Sequence, residues 1–402
     1  MGAVISKAGA ERTTPLSTAT LVVAANAPDV DMLAFVEGEY FALAFRRGVT
    51  HGVPALVVLP FAVTALVLSW DRWVRRRREP AADPARAGPV LALSVAGLLT
   101  HPALDWMNTY GMRWWLPFDG SWSYGDALFI LDPWIWLVLG GAVFLTSAPG
   151  RLGLGGWGVL ALLTSALVWL ALRPLAGVVW TAGVAAVLAV RVLGAWWAPR
   201  KWRDARPTRE RRAGAERRAA RRPTPDDRVV AARPARSVSL ARAAAAAVLL
   251  YILAMVAADA GARQDVARAA AAEGLTVRDL MVAPARGNPF ASDVEIRTDD
   301  AFVPGVHHWL RRPRVELFPD AAVPLLSAPA QAPRDLVARV VEDARRTPSV
   351  RNYLVWSRYP YVRVDPEGGG WRVRFSDARY DGQPGTGGLS GVRVHVPEER
   401  RQ

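Results

Sequence analysis

The sequence predicts a multi-pass α-helical membrane protein of about seven spans with a small C-terminal α+β domain outside the membrane. Of the 402 residues, 51% are hydrophobic and 17 are Trp, which is too apolar for an ordinary soluble protein. Several apolar runs without charge approach the roughly 20 residues that a helix needs to cross a bilayer. Behind the last of them, residues 262–402 form a polar tail long enough to have its own core.

The apolar runs divide the chain into five parts. We predict membrane helices with a candidate site in 1–150, two further helices in 151–198, a basic loop in 199–237, the last membrane helix in 238–260 and a soluble domain in 261–402. The single spans are predicted at Pro15–Phe35, Val53–Trp70, Pro89–Met107, Ala127–Ser147, Leu152–Leu172, Pro174–Trp197 and Val238–Ala258. The first is the weakest, because Pro28 disfavours helical geometry in the preceding residue and so predicts a helix end at Ala27.

The tail contains patterns of both helix and strand. Short helices are predicted at Asp265–Glu273 and Arg334–Arg346, and strands at Tyr361–Val364 and Trp371–Phe375, joined by a Gly-rich turn. Hydrophobic and basic residues alternate in the second strand, which indicates one buried face. The adjacent pair His307-His308 is expected to be solvated.

Arginines predict the orientation of the spans. Residues 199–236 hold 14 Lys and Arg against five acidic residues, and a second cluster, Arg75–Arg78, follows the second span. A basic segment can bind nucleic acid, but this one lies between apolar spans, so we expect a cytoplasmic loop beside anionic lipid and no nucleic acid. An even number of spans separates the two clusters. The loops 36–52 and 108–126 and the C-terminal domain are then expected on the periplasmic side of a bacterial inner membrane.

Ionisable residues gather at the predicted outer ends of the first spans. His101 and Asp105 are four residues apart and share one face of a helix. Ionisable groups inside a membrane are costly and usually face a partner or a polar cavity. Asp29, Asp31 and His51 are predicted at the same depth, and so is Asp132 at the start of the fourth span.

The set of residue types is that of a metal site. Carboxylates and imidazoles suit Zn²⁺, Mn²⁺ or Fe²⁺, and such an ion activates water for attack on an ester or phosphoester. We assign five ligands and two further residues, Asp132 as a base or orienting group and Asn108 as a substrate-positioning group. The ligands are Asp29, Asp31, His51, His101 and Asp105. Structural roles remain as alternatives. Asp29 and Asp31 could form a solvated helix cap, and His51 could be an interfacial histidine without a ligand role. Asp132 could cap a helix, and Asn108 could shape the turn.

Other kinds of site are excluded or lack support. The chain has no Cys, which excludes disulfides and thiolate ligands. It shows no Gly-x-Ser-x-Gly nucleophile elbow, no P-loop and no dinucleotide fingerprint.

Several motifs resemble a known family. They are Arg12–Thr20, Ala25–Asp31, Arg47–His51, His101–Gly111 and Asp132–Trp134, with weaker matches in the tail at Trp356–Tyr361 and Arg374–Tyr380. In order and spacing they resemble the LexA-regulated, membrane-bound metal-dependent hydrolases of bacterial inner membranes. The resemblance implies a divalent-metal hydrolase of poorly defined substrate. It also implies a His where this chain has Arg46, and a short Thr-His segment ahead of the residues that match Gly2–Ala8.

Three functions are consistent with these observations. The first is a hydrolase that acts on a lipid head group, a lipid-linked phosphate or an envelope precursor in the outer leaflet, with the tail domain covering the mouth of the site. The second is a transporter that relays protons through the same His and Asp residues. The third is a scaffold that uses the polar residues to fix helix packing.

Overall fold

The structure, a computed structural model, describes residues 1–147, 150–172, 174–197, 235–380 and 387–398. Among these residues, six helices are long and apolar enough to cross a membrane, and Pro133–Thr146 is a shorter apolar helix. A β-rich C-terminal part follows them. The predicted class, a multi-pass helical membrane protein with a small α+β domain, is confirmed. The predicted basic loop lies almost entirely outside the described residues.

The helices of the N-terminal part follow the predicted spans closely. In chain order they are α1 Gly2–Lys7, α2 Ser17–Asn26, α3 Glu39–Phe45, α4 Val53–Trp70, α5 Arg76–Arg78, α6 Ala87–Trp106, α7 Pro133–Thr146, α8 Arg151–Ala171, α9 Pro174–Trp197 and α10 Ala235–Ala272. A short 3-10 turn, Ala10–Arg12, precedes α2, and a π turn, Asp71–Arg75, joins α4 to α5. The α-helical part of the first span ends at Asn26, next to the predicted end, and the chain continues as a 3-10 helix, Ala27–Glu37.

Two predicted helix bounds are wrong. The fourth span was expected from Ala127, but α7 begins at Pro133, a residue whose fixed φ suits a first helical turn. The predicted separate helix Asp265–Glu273 is the end of α10, which continues for 14 residues beyond Ala258. Asp259 and Arg263 pair at 2.8 Å with i,i+4 spacing and so support the helix where its apolar pattern ends.

Contacts divide the chain into two units. Unit 1 comprises Met1–Gly2, Thr14–Asp132 and Leu250–Gln402, and it contains all the predicted site residues. Unit 2 comprises Ala3–Thr13 and Pro133–Leu249. In unit 2, Arg191 on α9 donates hydrogen bonds to carbonyl oxygens at the end of α7, which gives a cation in an apolar helix its acceptors.

In unit 1, α6 packs closely against α2. A Cβ on Gly97 of α6 would lie 2.9 Å from the carbonyl oxygen of Leu21 and 3.0 Å from the Cβ of Ala24. The absence of a side chain at Gly97 therefore lets the two backbones approach, as small residues do in membrane helix pairs. Ala24 also belongs to a buried cluster with Val63, Val67 and Val90.

The C-terminal part contains two sheets and two helices. The strands are β1 Asp279–Ala285, β2 Asn288–Arg297, β3 Ala301–His308, β4 Val315–Leu317, β5 Val323–Pro324, β6 Leu326–Ser327, β7 Pro360–Glu367, β8 Gly370–Asp377 and β9 Val392–Pro397. The first sheet is antiparallel in the order β1-β2-β3-β4, with β5 also paired to β3. The second has the order β6-β7-β8-β9, and only the β6–β7 pair is parallel. The helices are α11 Arg334–Arg345 and α12 Pro348–Trp356.

The predicted hairpin and helix of the tail are confirmed. Strands β7 and β8 contain the predicted strands and meet at Glu367↔Gly370, so the turn consists of Gly368 and Gly369. The latter has a φ of 77°, which favours glycine. Val373 and Phe375 are buried, as the alternation predicts, and pack with Trp356 in one core. The predicted helix at 334–346 is α11.

The prediction that His307 is solvated is wrong. Its side chain is fully buried, and its Nε2 lies 3.3 Å from Oδ2 of Asp265, near the end of α10. The alternation in β3 turns His307 inward, while His308 is half-buried. Position in a strand, rather than the polarity of the residue, decides its burial.

Candidate metal site

Three segments of unit 1 bring the candidate site together. The 3-10 helix Ala27–Glu37 carries Asp29 and Asp31, the loop before α4 carries His51, and the last turns of α6 carry His101 and Asp105. We call these five residues the His–Asp cluster. A 3-10 helix has three residues per turn, so Asp31 faces inward with Pro28 and Ala34, which are also buried.

The cluster converges on one point. Oδ1 of Asp29 lies 3.6 Å from Nε2 of His101 and 4.0 Å from Nε2 of His51. These three ligand atoms lie within 4.8 Å of one another. Oδ2 of Asp105 lies 3.4 Å from Nε2 of His51 and 3.5 Å from Nε2 of His101. Residues more than 70 positions apart along the chain therefore meet in one polar pocket.

The opposite nitrogen of each imidazole ring has its own acceptor. Nδ1 of His51 lies 3.1 Å from Oδ2 of Asp31, and Nδ1 of His101 lies 2.7 Å from the carbonyl oxygen of Ala25. A carboxylate and a carbonyl only accept hydrogen bonds, so each Nδ1 carries the hydrogen. In the neutral rings, both Nε2 atoms then present a lone pair, the arrangement in which metal-binding histidines are commonly held.

Both Nε2 atoms are buried and make no hydrogen bond among the described residues. Two imidazole lone pairs facing carboxylate oxygens repel one another unless a cation or extra protons lie between them. Ligands of a tetrahedral ion with bonds of about 2.0–2.2 Å are roughly 3.3–3.6 Å apart. Three of the observed separations, 3.4, 3.5 and 3.6 Å, fit that spacing, and the 4.0 Å between Oδ1 of Asp29 and Nε2 of His51 is longer. The donor set therefore fits a divalent ion.

Asp31 has a different position from the other predicted ligands. It contacts Nδ1 of His51 rather than the Nε2 side, and its Oδ2 also accepts hydrogen bonds from the Arg47 backbone and the Thr50 hydroxyl. Three donors around one buried carboxylate hold it in place. The geometry makes Asp31 an orienting group for His51.

The two residues predicted to take part in catalysis lie outside the cluster. Oδ1 of Asn108 accepts hydrogen bonds from Nη1 of Arg47 and from the backbone of Tyr110. Asp132 is buried, and its Oδ2 accepts a hydrogen bond of 2.8 Å from the hydroxyl of Tyr251 on α10. The hydrogen bond from Tyr251 thus holds Asp132, and its role as a base stays a prediction. The hydrogen bond from Arg47 shows that Asn108 holds the guanidinium of Arg47 in place.

Two arginines that the sequence analysis gave no role lie against the cluster. Nε of Arg47 is 2.9 Å from Oδ2 of Asp105, and the guanidinium lies over the ring of Tyr110 at 4.6 Å. Arg46 lies 3.4 Å from Oδ1 of Asp31 and 3.7 Å from Oδ1 of Asp29. We call Arg46 and Arg47 the arginine pair. The sequence signal that could have indicated them is a pair of adjacent cations next to a predicted span, since a cation that enters the membrane is costly unless it is paired.

The family comparison covers the part of the chain that contains the site. Residues 1–198 match the YdjM inner membrane protein family. This match and the apolar helices support a bacterial inner-membrane protein. The matched range includes the His–Asp cluster and the arginine pair but not the C-terminal domain. No curated protein and no solved structure matches the chain.

Proposed function

We propose that this protein is a membrane-bound, metal-dependent hydrolase that acts on an ester or phosphoester reached from the outer leaflet. One observation carries the proposal. Two buried imidazole Nε2 atoms that make no hydrogen bond within the described part of the chain converge with two carboxylate oxygens, at separations close to those of ligands around one ion. The ligands are Asp29, His51, His101 and Asp105. The ion is Zn²⁺, Mn²⁺ or Fe²⁺, which these donors suit.

The bound ion would supply water with a pKa near neutrality. The residues of the chain prepare the ligands for it. Asp31 and the carbonyl of Ala25 hold hydrogens on the Nδ1 atoms, which leaves both Nε2 atoms to bind the ion. Arg47 holds Asp105 by an ion pair, and Asn108 holds Arg47. This second layer fixes the orientation of the ligands before any ion binds.

The side of the membrane and the substrate source follow from the positive-inside rule. The arginines after α4 and in the basic loop support a periplasmic position for the His–Asp cluster and for the C-terminal domain. A lipid head group or a lipid-linked envelope precursor can reach a site at that depth. Membrane lipid is thus the proposed partner.

Metal content tests the proposal. The full-length protein is purified in detergent, exposed separately to Zn²⁺, Mn²⁺ and Fe²⁺, desalted and analysed for metal. We expect stoichiometric metal in the wild type and loss of it in His51→Ala and His101→Ala. His395→Ala is the matched control, because His395 is exposed on β9 of the tail. Wild-type protein that stays metal-free, or that relays protons across vesicles without metal, would overturn the proposal.

A further inference from the structure

The charge of the pocket constrains the charge of its substrate. The His–Asp cluster contributes three carboxylates, and the arginine pair contributes two guanidinium groups. With both imidazoles neutral, the formal charge of these seven described residues is −1. A divalent ion changes it to +1. A net charge in a pocket largely removed from water is costly. A monoanionic substrate brings the formal charge of the pocket from +1 to zero, whereas a neutral ester leaves it at +1.

The two arginines differ in how tightly their guanidinium groups are held by neighbouring residues. Arg47 is buried and is held by Asp105, Asn108 and the ring of Tyr110. Arg46 is partly exposed, and its two ion pairs are longer, at 3.4 and 3.7 Å. One of its partners, Asp29, is a proposed ligand. Arg46 is therefore the cation that is available to an incoming anion, and a guanidinium suits phosphate oxygens.

The open side of the pocket continues into an apolar edge. Asp29 is the most exposed carboxylate of the cluster, with 39% of its side chain exposed, while Asp31 and His51 are fully buried. With three residues per turn, Asp29, Met32 and Phe35 share one edge of the 3-10 helix, and both apolar side chains are exposed. The guanidinium of Arg46 lies over the ring of Phe35 at 5.6 Å. A cation thus stands where the polar pocket meets the apolar edge.

From these three features we infer that the substrate is a phospholipid: a phosphodiester monoanion whose phosphate is bound by Arg46 and whose acyl chains run along Met32 and Phe35. The inference rests on the proposed function and narrows its substrate class. In the reaction, the oxygen of water bonds to phosphorus and one phosphorus–oxygen ester bond breaks. The released alcohol takes one proton of the water, and the phosphomonoester product keeps the rest.

Phosphate binding tests the role of Arg46 without any turnover. Inorganic phosphate is titrated calorimetrically into full-length protein loaded with Zn²⁺ or Mn²⁺. Loss of a charge-assisted hydrogen bond predicts roughly tenfold or more weaker binding in Arg46→Gln. Arg46→Lys retains the charge and recovers part of the affinity. Arg77→Gln is the control, because Arg77 is exposed on α5. Equal phosphate affinity in wild type and Arg46→Gln, with equal metal content, would overturn the inference.

Substrate choice tests the rest. The metal-loaded protein is given phosphatidylglycerol vesicles, bis(p-nitrophenyl) phosphate and p-nitrophenyl butyrate. We expect hydrolysis of the phospholipid, slower hydrolysis of the soluble diester and least of the neutral ester, with Met32→Gln slowing only the lipid reaction. If the neutral ester is preferred and Arg46→Gln has no effect, the inference fails while the proposed hydrolase stands. If no metal binds, the proposed function fails and the inference with it.

Discussion

At the scale of single residues, the position of Asp31 decides how well the pocket is prepared for an ion. Its Oδ2 accepts hydrogen bonds from three groups, one of which is the Nδ1 of His51. Only an acceptor at that point fixes the hydrogen on Nδ1 and leaves Nε2 as a donor of its lone pair.

Asp31→Asn is therefore expected to weaken metal binding by roughly 10–100-fold, the range for orienting carboxylates behind metal-bound histidines. The amide keeps the shape of the side chain but is neutral, so it holds the Nδ1 hydrogen of His51 less strongly, and its NH2 group takes the place of the oxygen that accepts from Nε of Arg46. Metal titration of the purified protein measures the change. Asp119→Asn is the control, because Asp119 is exposed in the loop before α7. Unchanged affinity in Asp31→Asn would remove the orienting role.

A second residue-scale prediction concerns pH. Burial raises the pKa of Glu295 on β2 to about 8, and the carboxylate of Asp377 adds to the effect. Between about pH 4.5 and 8 the folded state therefore holds a proton that the unfolded state has lost. Stability conferred by this group falls as the pH rises through that window. Apparent Tm is expected to decrease from pH 5 to 8, and Glu295→Gln should flatten the decrease. Exposed Glu316→Gln should leave it as in the wild type.

The residues of the cluster could be predicted to different degrees. His101 and Asp105 were predicted because their spacing puts both on one helix face, and Asp29 and His51 because the predicted topology puts them at the same depth. The role of Arg47 could not be predicted, since its partners are Asp105 and Asn108, 58 and 61 residues away. Asp31 was predicted as a ligand, and its contact with Nδ1 of His51 could not be predicted, because sequence spacing says nothing about which ring nitrogen an acceptor meets.

At the scale of helices, the spans were predictable where hydropathy alone sets them. Val53–Trp70 and Pro174–Trp197 have the predicted bounds, since both are apolar and free of internal acidic residues. Prediction failed where a tertiary contact replaces hydropathy. Helix α10 continues past Ala258 because Val266 and Ala270 are buried in the core of the C-terminal domain. No local pattern carries that information.

The close approach of α2 and α6 supports the site directly, because α2 supplies the carbonyl of Ala25 to His101 of α6. Gly97→Val would place a Cβ within 3.0 Å of the backbone and a side chain of α2. Such overpacking costs about 1–3 kcal/mol and separates the two helices. We expect a lower apparent Tm and weaker metal binding. Gly88→Val is the matched control in the same helix, since nothing lies within 4 Å of its Cβ position. Identical behaviour of the two variants would contradict this account.

At the scale of the whole molecule, contacts within unit 1 connect the loop 108–126 with the C-terminal domain. The ring of Tyr110 lies 5.4 Å from that of Trp356, and Nε1 of Trp122 donates a hydrogen bond to the carbonyl of Val355. Arg47 of the pocket lies over the ring of Tyr110, and Tyr110 contacts Trp356 of the domain. Tyr110 therefore connects the pocket to the domain. The sequence predicted the loop 108–126 and the domain on the same side of the membrane. The contacts between them join residues more than 230 positions apart and could not be predicted from local patterns.

Asp126 links these parts of unit 1 by ion pairs. Its buried carboxylate lies 2.9 Å from Arg263 on α10 and 2.9 Å from Arg358 in the C-terminal domain. Asp126→Asn removes the charge but tolerates the φ of 50° at this position. Since it leaves the buried guanidinium of Arg358 without its carboxylate, while Arg263 keeps Asp259, we expect a loss of about 3 kcal/mol. Apparent Tm and hydrogen exchange of α12 measure it, and Asp279→Asn, at the half-exposed end of a 4.0 Å pair with Arg358, should change little. Equal protection of α12 in both variants would show that apolar contacts alone hold the domain in place.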